Sequence, residues 1–259
     1  RSFTIQSTSS LTVGGNFTNT AGTVTLNSSS DEFSSLLVSG ASSGDITYNR
    51  YVNIVGTGDW DLVGAPVSGM AFSELIIDPN IATNGSGVYA VGSYDNSLDT
   101  WTNATNATTG DLALGQGYQM ATTNGGTLSF TGAIANGDQS VIINNNNAAN
   151  SGSGRRWNLI ANPFASYLHG NTNADGTNNF LTVNTAAIDD NFEAIYGWKA
   201  DGTGYEIYNN SSTTTYIAPG QGFFVAAAGS GADQTINFTQ AMQTVTGADD
   251  FVAARSSAS

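Results

Sequence analysis

Four short sequence phrases recur in similar form in this chain, in the same order and with similar spacing. The first set is WDLVGAP (60–66), VYAVGSYDNSLDTW (88–101), LALGQGYQMA (112–121) and TLSFTG (127–132). The second set is WNLIANP (157–163), AIYGWKADGTGYEIY (194–208), IAPGQGFFVAA (217–227) and TINFTQ (235–240). Ordered repetition of this kind indicates an internal duplication, so we expect two copies of one structural unit.

Each phrase has the pattern of a short β-strand or of the turn beside it. Apolar and polar residues alternate, which is typical of half-buried strands. The prolines lack an amide hydrogen and end their strands, and the glycines supply turns before an aromatic residue begins a buried strand. The tryptophans hold equivalent places and are predicted to lie in the core. The predicted structural residues are Trp60, Pro66, Trp157, Pro163, Gly220, Gly222 and Phe223.

Composition favours strands over helices. Charged residues make up 10 % of the chain, against about 25 % in an average domain. Ser, Thr, Asn and Gly supply the polarity instead, and these residues disfavour helices. We predict an all-β fold of two duplicated antiparallel β-sandwich (jelly-roll-like) units, preceded by a short strand-rich, solenoid-like segment. The predicted boundaries are 1–55 for the N-terminal segment, 56–142 for the first unit, 143–156 for a linker, 157–246 for the second unit and 247–259 for a tail.

The N-terminal segment contains two stretches with the same alternating residue pattern. SLTVGGNFTNTAGTVTLNSS (10–29) and LLVSGASSGDITYNRYV (36–52) both alternate apolar and small polar residues, about 25 residues apart. Such a period fits two rungs of a small β-solenoid. The same sequence pattern is also compatible with a simple meander that covers one edge of the next unit.

Charge and cysteine content exclude several classes of partner and site. The net charge is −14, with six Lys plus Arg, so binding to nucleic acid or to anionic membranes is disfavoured. The absence of cysteine excludes disulfides, thiol catalysis and thiolate metal sites. No stretch is long and apolar enough to insert into a membrane. The chain begins at Arg1 in mid-pattern, so we expect a processed or excised piece of a longer product.

The phrases resemble a known group of modules. YNRYV (48–52), WDLVGAPV (60–67), WNLIANPF (157–164) and APGQGFFVAA (218–227) are similar to phrases in tandem β-rich modules of large secreted and cell-surface Bacteroidetes proteins, which are type IX secretion substrates. Ala161 stands where the resemblance leads us to expect glycine. The resemblance implies export and an extracellular or surface location, and it implies no catalytic residues.

The search for catalytic groups leads us to expect that the chain is not an enzyme. His169 is the single histidine and has no second histidine for a relay. Glycosidases need two carboxyl groups about 5–10 Å apart in a cleft, and sequence neighbours on a strand point to opposite faces. The carboxylates considered are Asp59 with Asp61, Asp189 with Asp190 and Glu193, and Asp249 with Asp250. For the last pair, near the chain end, we expect solvated charges.

Calcium is the one cofactor that the sequence suggests. Asn171, Asn173 and Asp175, followed by Gly176, have the spacing of the start of a calcium loop. No glutamate follows at the twelfth position, which is Thr182, so the charge is low. A turn rich in Asx side chains explains the same letters.

Aromatic residues could form a sugar-binding surface. The four that we predict for glycan stacking are Tyr94, Trp101, Trp198 and Tyr205. Tyr118, Tyr208 and Tyr216 are further candidates. A sugar platform requires two or three exposed, roughly coplanar rings beside a groove, whereas aromatics in small sandwiches usually pack in the core.

These patterns predict a non-catalytic secreted or cell-surface structural or adhesion module. Edge strands within 1–13 or 235–246 could pair with another chain and build a filament or array. The alternative is a carbohydrate-binding module attached to a polysaccharide-active or adhesive protein. Expected partners are other protein chains, including further copies, and polysaccharide.

Overall fold

The fold is all-β, as predicted. A computed structural model describes residues 2–56, 60–146, 154–199, 202–229, 231–247 and 249–250. Strands account for 45 % and helices for 7 % of the structure. Asp59, half of the predicted linker (147–153) and most of the predicted tail lie outside the described residues. Among the described residues, no helix has the length and apolar character needed to cross a membrane.

The N-terminal segment is a small parallel β-solenoid. Its strands are β1 (Phe3–Ile5), β2 (Ser10–Val13), β3 (Phe17–Thr18), β4 (Val24–Asn27), β5 (Ser35–Val38), β6 (Ser42–Ser43) and β7 (Asp45–Val52). β1, β4 and β7 pair in parallel on one face, while β2 with β5 and β3 with β6 form the other faces. A meander would pair antiparallel, so the solenoid is the correct alternative. Leu26, Leu36 and Ile46 fill its core.

The first unit adds five strands and one short helix. They are β8 (Asp61–Val63), α1 (Phe72–Leu75), β9 (Val88–Asp95), β10 (Thr100–Thr105), β11 (Tyr118–Met120) and β12 (Gly126–Ala133). The order β10-β9-β11-β8 forms an antiparallel sheet. β12 leaves that sheet and pairs antiparallel with β7 of the solenoid. The solenoid and the first unit therefore share a sheet.

The second unit contains the remaining elements. Its strands are β13 (Gln139–Asn144), β14 (Trp157–Ala161), β15 (Tyr167–His169), β16 (Ile195–Trp198), β17 (Tyr205–Tyr208), β18 (Tyr216–Ile217), β19 (Gly222–Ala226), β20 (Asp233–Phe238) and β21 (Gln243–Thr244). Its helix is α2 (Phe180–Asn184), and 3-10 turns cover Gly154–Arg156, Thr185–Ala187 and Gln240–Met242. The order β17-β16-β19-β14 forms the main antiparallel sheet, and β18-β15-β21 and β13-β20 form two smaller ones.

The sheet topology repeats the duplication seen in the sequence. β8, β9, β10 and β11 occupy the same order as β14, β16, β17 and β19. β7 pairs with β12 as β13 pairs with β20, so each copy begins one strand before its tryptophan. The predicted boundaries after residues 55 and 142 consequently separate β7 from β12 and cut through β13.

The two units meet through their duplicated phrases. Val63 of β8 forms a β-bridge with Gln221 in the second Gly-Gln-Gly turn. Ile160, its equivalent on β14, forms a bridge with Gln116 in the first turn. The contacts are reciprocal, as they are about an approximate two-fold axis. Each copy therefore supplies both a strand and a turn to the contact.

Close backbone approach at this contact requires small residues. The Gly64 N–H donates to the Gly220 carbonyl at 2.9 Å, and the Ala161 N–H donates to the Gly115 carbonyl at 2.8 Å. A Cβ atom on Gly64 would lie 2.3 Å from the Cβ of Ala161, far inside van der Waals contact. Gly64 and Ala161 face each other across the contact, and there is room for one methyl group only.

The predicted structural residues divide into two groups. Both prolines, both glycines and Phe223 are buried at the places described above. The two tryptophans are half-buried, so neither is fully enclosed in the core. Trp60 covers a small cluster of Ala82, Ala90 and Ala121, whereas Trp157 lines a cleft.

Candidate functional site

Two β-hairpins carry matching aromatic pairs. Tyr94 on β9 lies opposite Trp101 on β10, and Trp198 on β16 lies opposite Tyr205 on β17. The ring centroids are 5.2 Å apart in the first pair and 5.0 Å apart in the second. The order of tyrosine and tryptophan is reversed between the copies. These four residues are the ones predicted for glycan stacking.

The first pair and Tyr205 border one cavity of about 210 Å³, which we call the aromatic cleft. It is lined by Tyr94, Asp99, Trp101, Trp157, Tyr196, Tyr205 and Phe224. The first unit supplies three of these residues and the second unit supplies four. Trp198 packs on Tyr205 and supports it. The cleft therefore exists only because the duplicated units pack together.

Phe224 of β19 forms the inner end of the aromatic cleft, since it is only 5 % exposed. The rings of Tyr94, Trp101 and Tyr205 stand at 87°, 87° and 85° to it, with centroids 5.2, 6.2 and 5.9 Å away. Trp101 is 39 % and Tyr205 46 % exposed. Of the four predicted rings, these two are thus accessible. The Tyr94 and Trp101 rings are tilted by 53° to each other, so they line a cleft and do not form the expected coplanar platform.

The other side of the cleft is braced by further ring contacts. Trp157 meets Tyr196 at 4.6 Å and 76°, and it meets Phe192 at 5.6 Å and 69°. The guanidinium of Arg156 lies 4.9 Å from the Phe192 ring centroid and forms an ion pair with Asp189 at 2.9 Å. These contacts hold Trp157 at the cleft.

Asp99 places a carboxylate at the cleft. It is the one described non-glycine residue with positive φ, at 57°, a conformation that Asp and Asn tolerate better than most residues. The Tyr94 hydroxyl donates to its Oδ1 at 2.7 Å. Burial and this hydrogen bond raise the pKa of Tyr94, and burial together with the Asp99 charge raises the pKa of Tyr205. Both phenols therefore stay protonated and can donate hydrogen bonds at neutral pH.

A polar groove of about 160 Å³ lies on another side of Tyr94, which borders both this groove and the aromatic cleft. Its amides form a network in which the Asn96 amide donates to Asn144 Oδ1 at 2.8 Å and to Asn158 Oδ1 at 3.2 Å. Gln116 borders the same groove. Amide groups of this kind can exchange hydrogen bonds with sugar hydroxyls.

The predicted calcium residues are engaged by the protein itself. The buried Asn171 amide donates to the Thr213 carbonyl at 2.8 Å, and its Oδ1 accepts from the Thr215 N–H at 3.2 Å. Asn173 donates to the Ser212 carbonyl at 2.6 Å. Asp175 Oδ1 accepts two backbone N–H bonds, as in an Asx turn. No group of three or more His, Asp or Glu side chains gathers among the described residues. Calcium binding here stays a prediction.

The carboxylates considered for catalysis have partners elsewhere. Asp61 accepts from the backbone and side chain of Asn53, both at 2.9 Å. Asp250 is not a solvated charge as expected: it is buried and pairs with Arg50 at 3.2 Å. The expectation overlooked that the chain returns to the solenoid at Asp250.

The remaining candidates lie away from the aromatic cleft. Glu193 accepts from the Thr185 hydroxyl at 3.3 Å, and half-buried His169 packs near Tyr216 at 5.9 Å. Tyr118 is buried against Phe72, so it cannot stack on a ligand. Tyr208 and Tyr216 border a separate groove.

Comparison with known proteins places the chain in one family. The family model described as "Domain of unknown function (DUF8693)" matches residues 1–259. No curated protein and no solved structure matches the chain.

Proposed function

We propose that this chain, which belongs to the DUF8693 family, is a non-catalytic adhesion module that binds carbohydrate in the aromatic cleft. The observation that carries the proposal is the convergence of Trp101 and Tyr205, both exposed, from two different units onto one cavity. An exposed aromatic pair costs solubility, so its position in a formed cavity supports a ligand. The resemblance of the 157–164 and 218–227 phrases to modules of exported proteins supports a secreted or cell-surface location.

The chemistry of the cleft suits a sugar ring. Pyranoses present apolar C–H faces, which pack on aromatic rings, and hydroxyl edges, which need hydrogen-bond partners. The rings of Trp101 and Tyr205 supply the first. The hydroxyl of Tyr205, which stays protonated, and the amides of the adjoining groove supply the second. The groove gives an oligosaccharide room to extend beyond one sugar.

Replacing Trp101 or Tyr205 with alanine should weaken glycan binding about tenfold, because an aromatic contact contributes about 0.5–1.5 kcal/mol beyond its buried area. A glycan array would identify the ligand, and isothermal titration calorimetry would compare the variants. Phe3→Ala is the matched control, because Phe3 is 50 % exposed on the solenoid. Equal affinities in all variants, or an array without a signal, would contradict the proposal.

A second candidate function is assembly through the open end of the solenoid. Among the described residues, β1, β2 and β3 pair on one side only, with β4, β5 and β6. Such unpaired edges are templates for a further strand. The other predicted edge is blocked at β20, where the Asn184 amide donates to the Asn237 carbonyl at 2.9 Å and accepts from its N–H at 2.7 Å.

If the solenoid end assembles, the mass of the chain should rise with concentration in light scattering. A charge at the edge should prevent this, because charged side chains oppose strand addition. We therefore expect Phe3→Lys to remain monomeric over the same range, while Ile77→Lys, an exposed site on the first unit, behaves like the parent chain. A parent chain that stays monomeric throughout would exclude this second candidate.

A further inference from the structure

We infer that the sugar held in the aromatic cleft carries a positive charge, as a hexosamine with a free ammonium group does. The inference rests on the proposed function and adds the chemical class of the ligand. It depends on the electrostatics of the cleft, which differ from those of a neutral sugar platform.

The aromatic cleft attracts cations by its construction. Aromatic faces carry a negative quadrupole potential and bind cations within about 6 Å of the ring centroid. Six aromatic residues line one cavity of about 210 Å³, and three of their rings stand steeply to Phe224. A group within the cavity therefore meets several rings together. Flat stacking of a neutral sugar does not require such angles.

Asp99 adds a full negative charge to this potential. It is the one charged side chain among the described residues that line the cleft. Its place is set by a tight turn, in which Asp95 Oδ1 accepts from the Ser97 N–H at 2.8 Å and the Leu98 N–H at 3.3 Å. The hydrogen bond from Tyr94 then orients the carboxylate. A cationic ligand group can pair with Asp99 while it contacts the rings.

The net negative charge of the whole chain also favours a cationic ligand. The net charge of −14 opposes the approach of sugars with carboxylate or sulfate groups and favours cationic ones. The same field would attract any polycation without specificity. A test must therefore separate the local effect of Asp99 from the general effect of net charge.

Three β-1,4-linked hexasaccharides that differ only at C2 provide the test: those of glucosamine, N-acetylglucosamine and glucose. Calorimetry with the full chain should show the tightest binding for the glucosamine hexamer. Asp99→Asn should weaken that binding about fivefold, the upper value for an exposed ion pair, and leave the other two unchanged. Asparagine keeps the hydrogen bond from Tyr94 and tolerates the positive φ.

Asp45→Asn is the control, because it removes the same charge from an exposed position on β7. An equal loss in Asp45→Asn and Asp99→Asn would overturn the inference in favour of non-specific attraction. Equal binding of all three hexamers would overturn it too, while the proposed function would stand. If none of the three binds, the inference fails, and the glycan array separately decides the proposed function.

Discussion

Replacing Asp250 with alanine is expected to lower the free energy of unfolding by about 3 kcal/mol, because a buried cation is left without its partner. The side chains of Arg50 and Asp250 are 1 % and 4 % exposed. Arg50 also donates to the Tyr51 carbonyl at 2.8 Å and lies 4.0 Å from the ring centroid of Phe33. These contacts hold the guanidinium in place, so it cannot easily turn to water. Urea unfolding of the full chain measures the loss.

An exposed ion pair provides the control for this substitution. Lys199 and Glu206 are 3.8 Å apart, with about a third of each side chain exposed. Glu206→Ala should cost less than about 1 kcal/mol, because water screens and replaces the partner. A loss in Asp250→Ala no larger than that of Glu206→Ala would mean that the ion pair with Arg50 does not anchor Asp250 to the solenoid.

Replacing Gly64 with alanine is expected to lower the free energy of unfolding by about 2–3 kcal/mol, through overpacking. The added methyl group would lie 2.3 Å from the Ala161 Cβ and 2.7 Å from the Gln116 carbonyl oxygen. Neither the Ala161 Cβ nor the Gln116 carbonyl can move away without a shift of its backbone, so the clash is not easily relieved. Gly176→Ala is the control, since a Cβ there meets nothing within 4 Å, and its effect should stay within about 0.5 kcal/mol.

The exchange variant, Gly64→Ala with Ala161→Gly, tests the reciprocal contact directly. It moves the single methyl group to the other side of the approximate two-fold axis and removes the clash between the two Cβ atoms. We expect it to be about 1 kcal/mol more stable than Gly64→Ala alone, because neighbouring sites couple. Simple addition of the two single effects would argue against the two-fold contact.

Much of the fold follows from patterns that act locally. Alternating apolar residues predicted the strands, the repeated phrases predicted two copies, and the period of about 25 residues suggested the solenoid. Pairing between distant strands is not a local property. The pairing of β13 with β20, and of β7 with β12, depends on which strands meet after the chain has turned back. No residue within 139–144 specifies that pairing.

Only part of the candidate site could be predicted, because some of its residues follow from local patterns and others from contacts between distant segments. Tyr94, Trp101, Trp198 and Tyr205 could be proposed from the sequence, because they are aromatic residues with Asn- and Thr-rich neighbours. Tyr196 could have been found too, since it precedes Trp198 by two residues and therefore faces the same side of β16. Asp99 reaches the cleft through the positive φ of its own hairpin turn, and Phe224 reaches it through the packing of the two units; the sequence displays neither.

The most direct test of the central claim uses the indole N–H signals of the four tryptophans in nuclear magnetic resonance spectra. The tightest-binding glycan from the array would be titrated into the ¹⁵N-labelled chain. We predict that the signals of Trp101 and Trp157, which line the cleft, shift with ligand, and that the signal of Trp60, the equivalent of Trp157 in the first unit, does not. Shifts at Trp60 without shifts at Trp101 and Trp157 would contradict a binding site in the aromatic cleft.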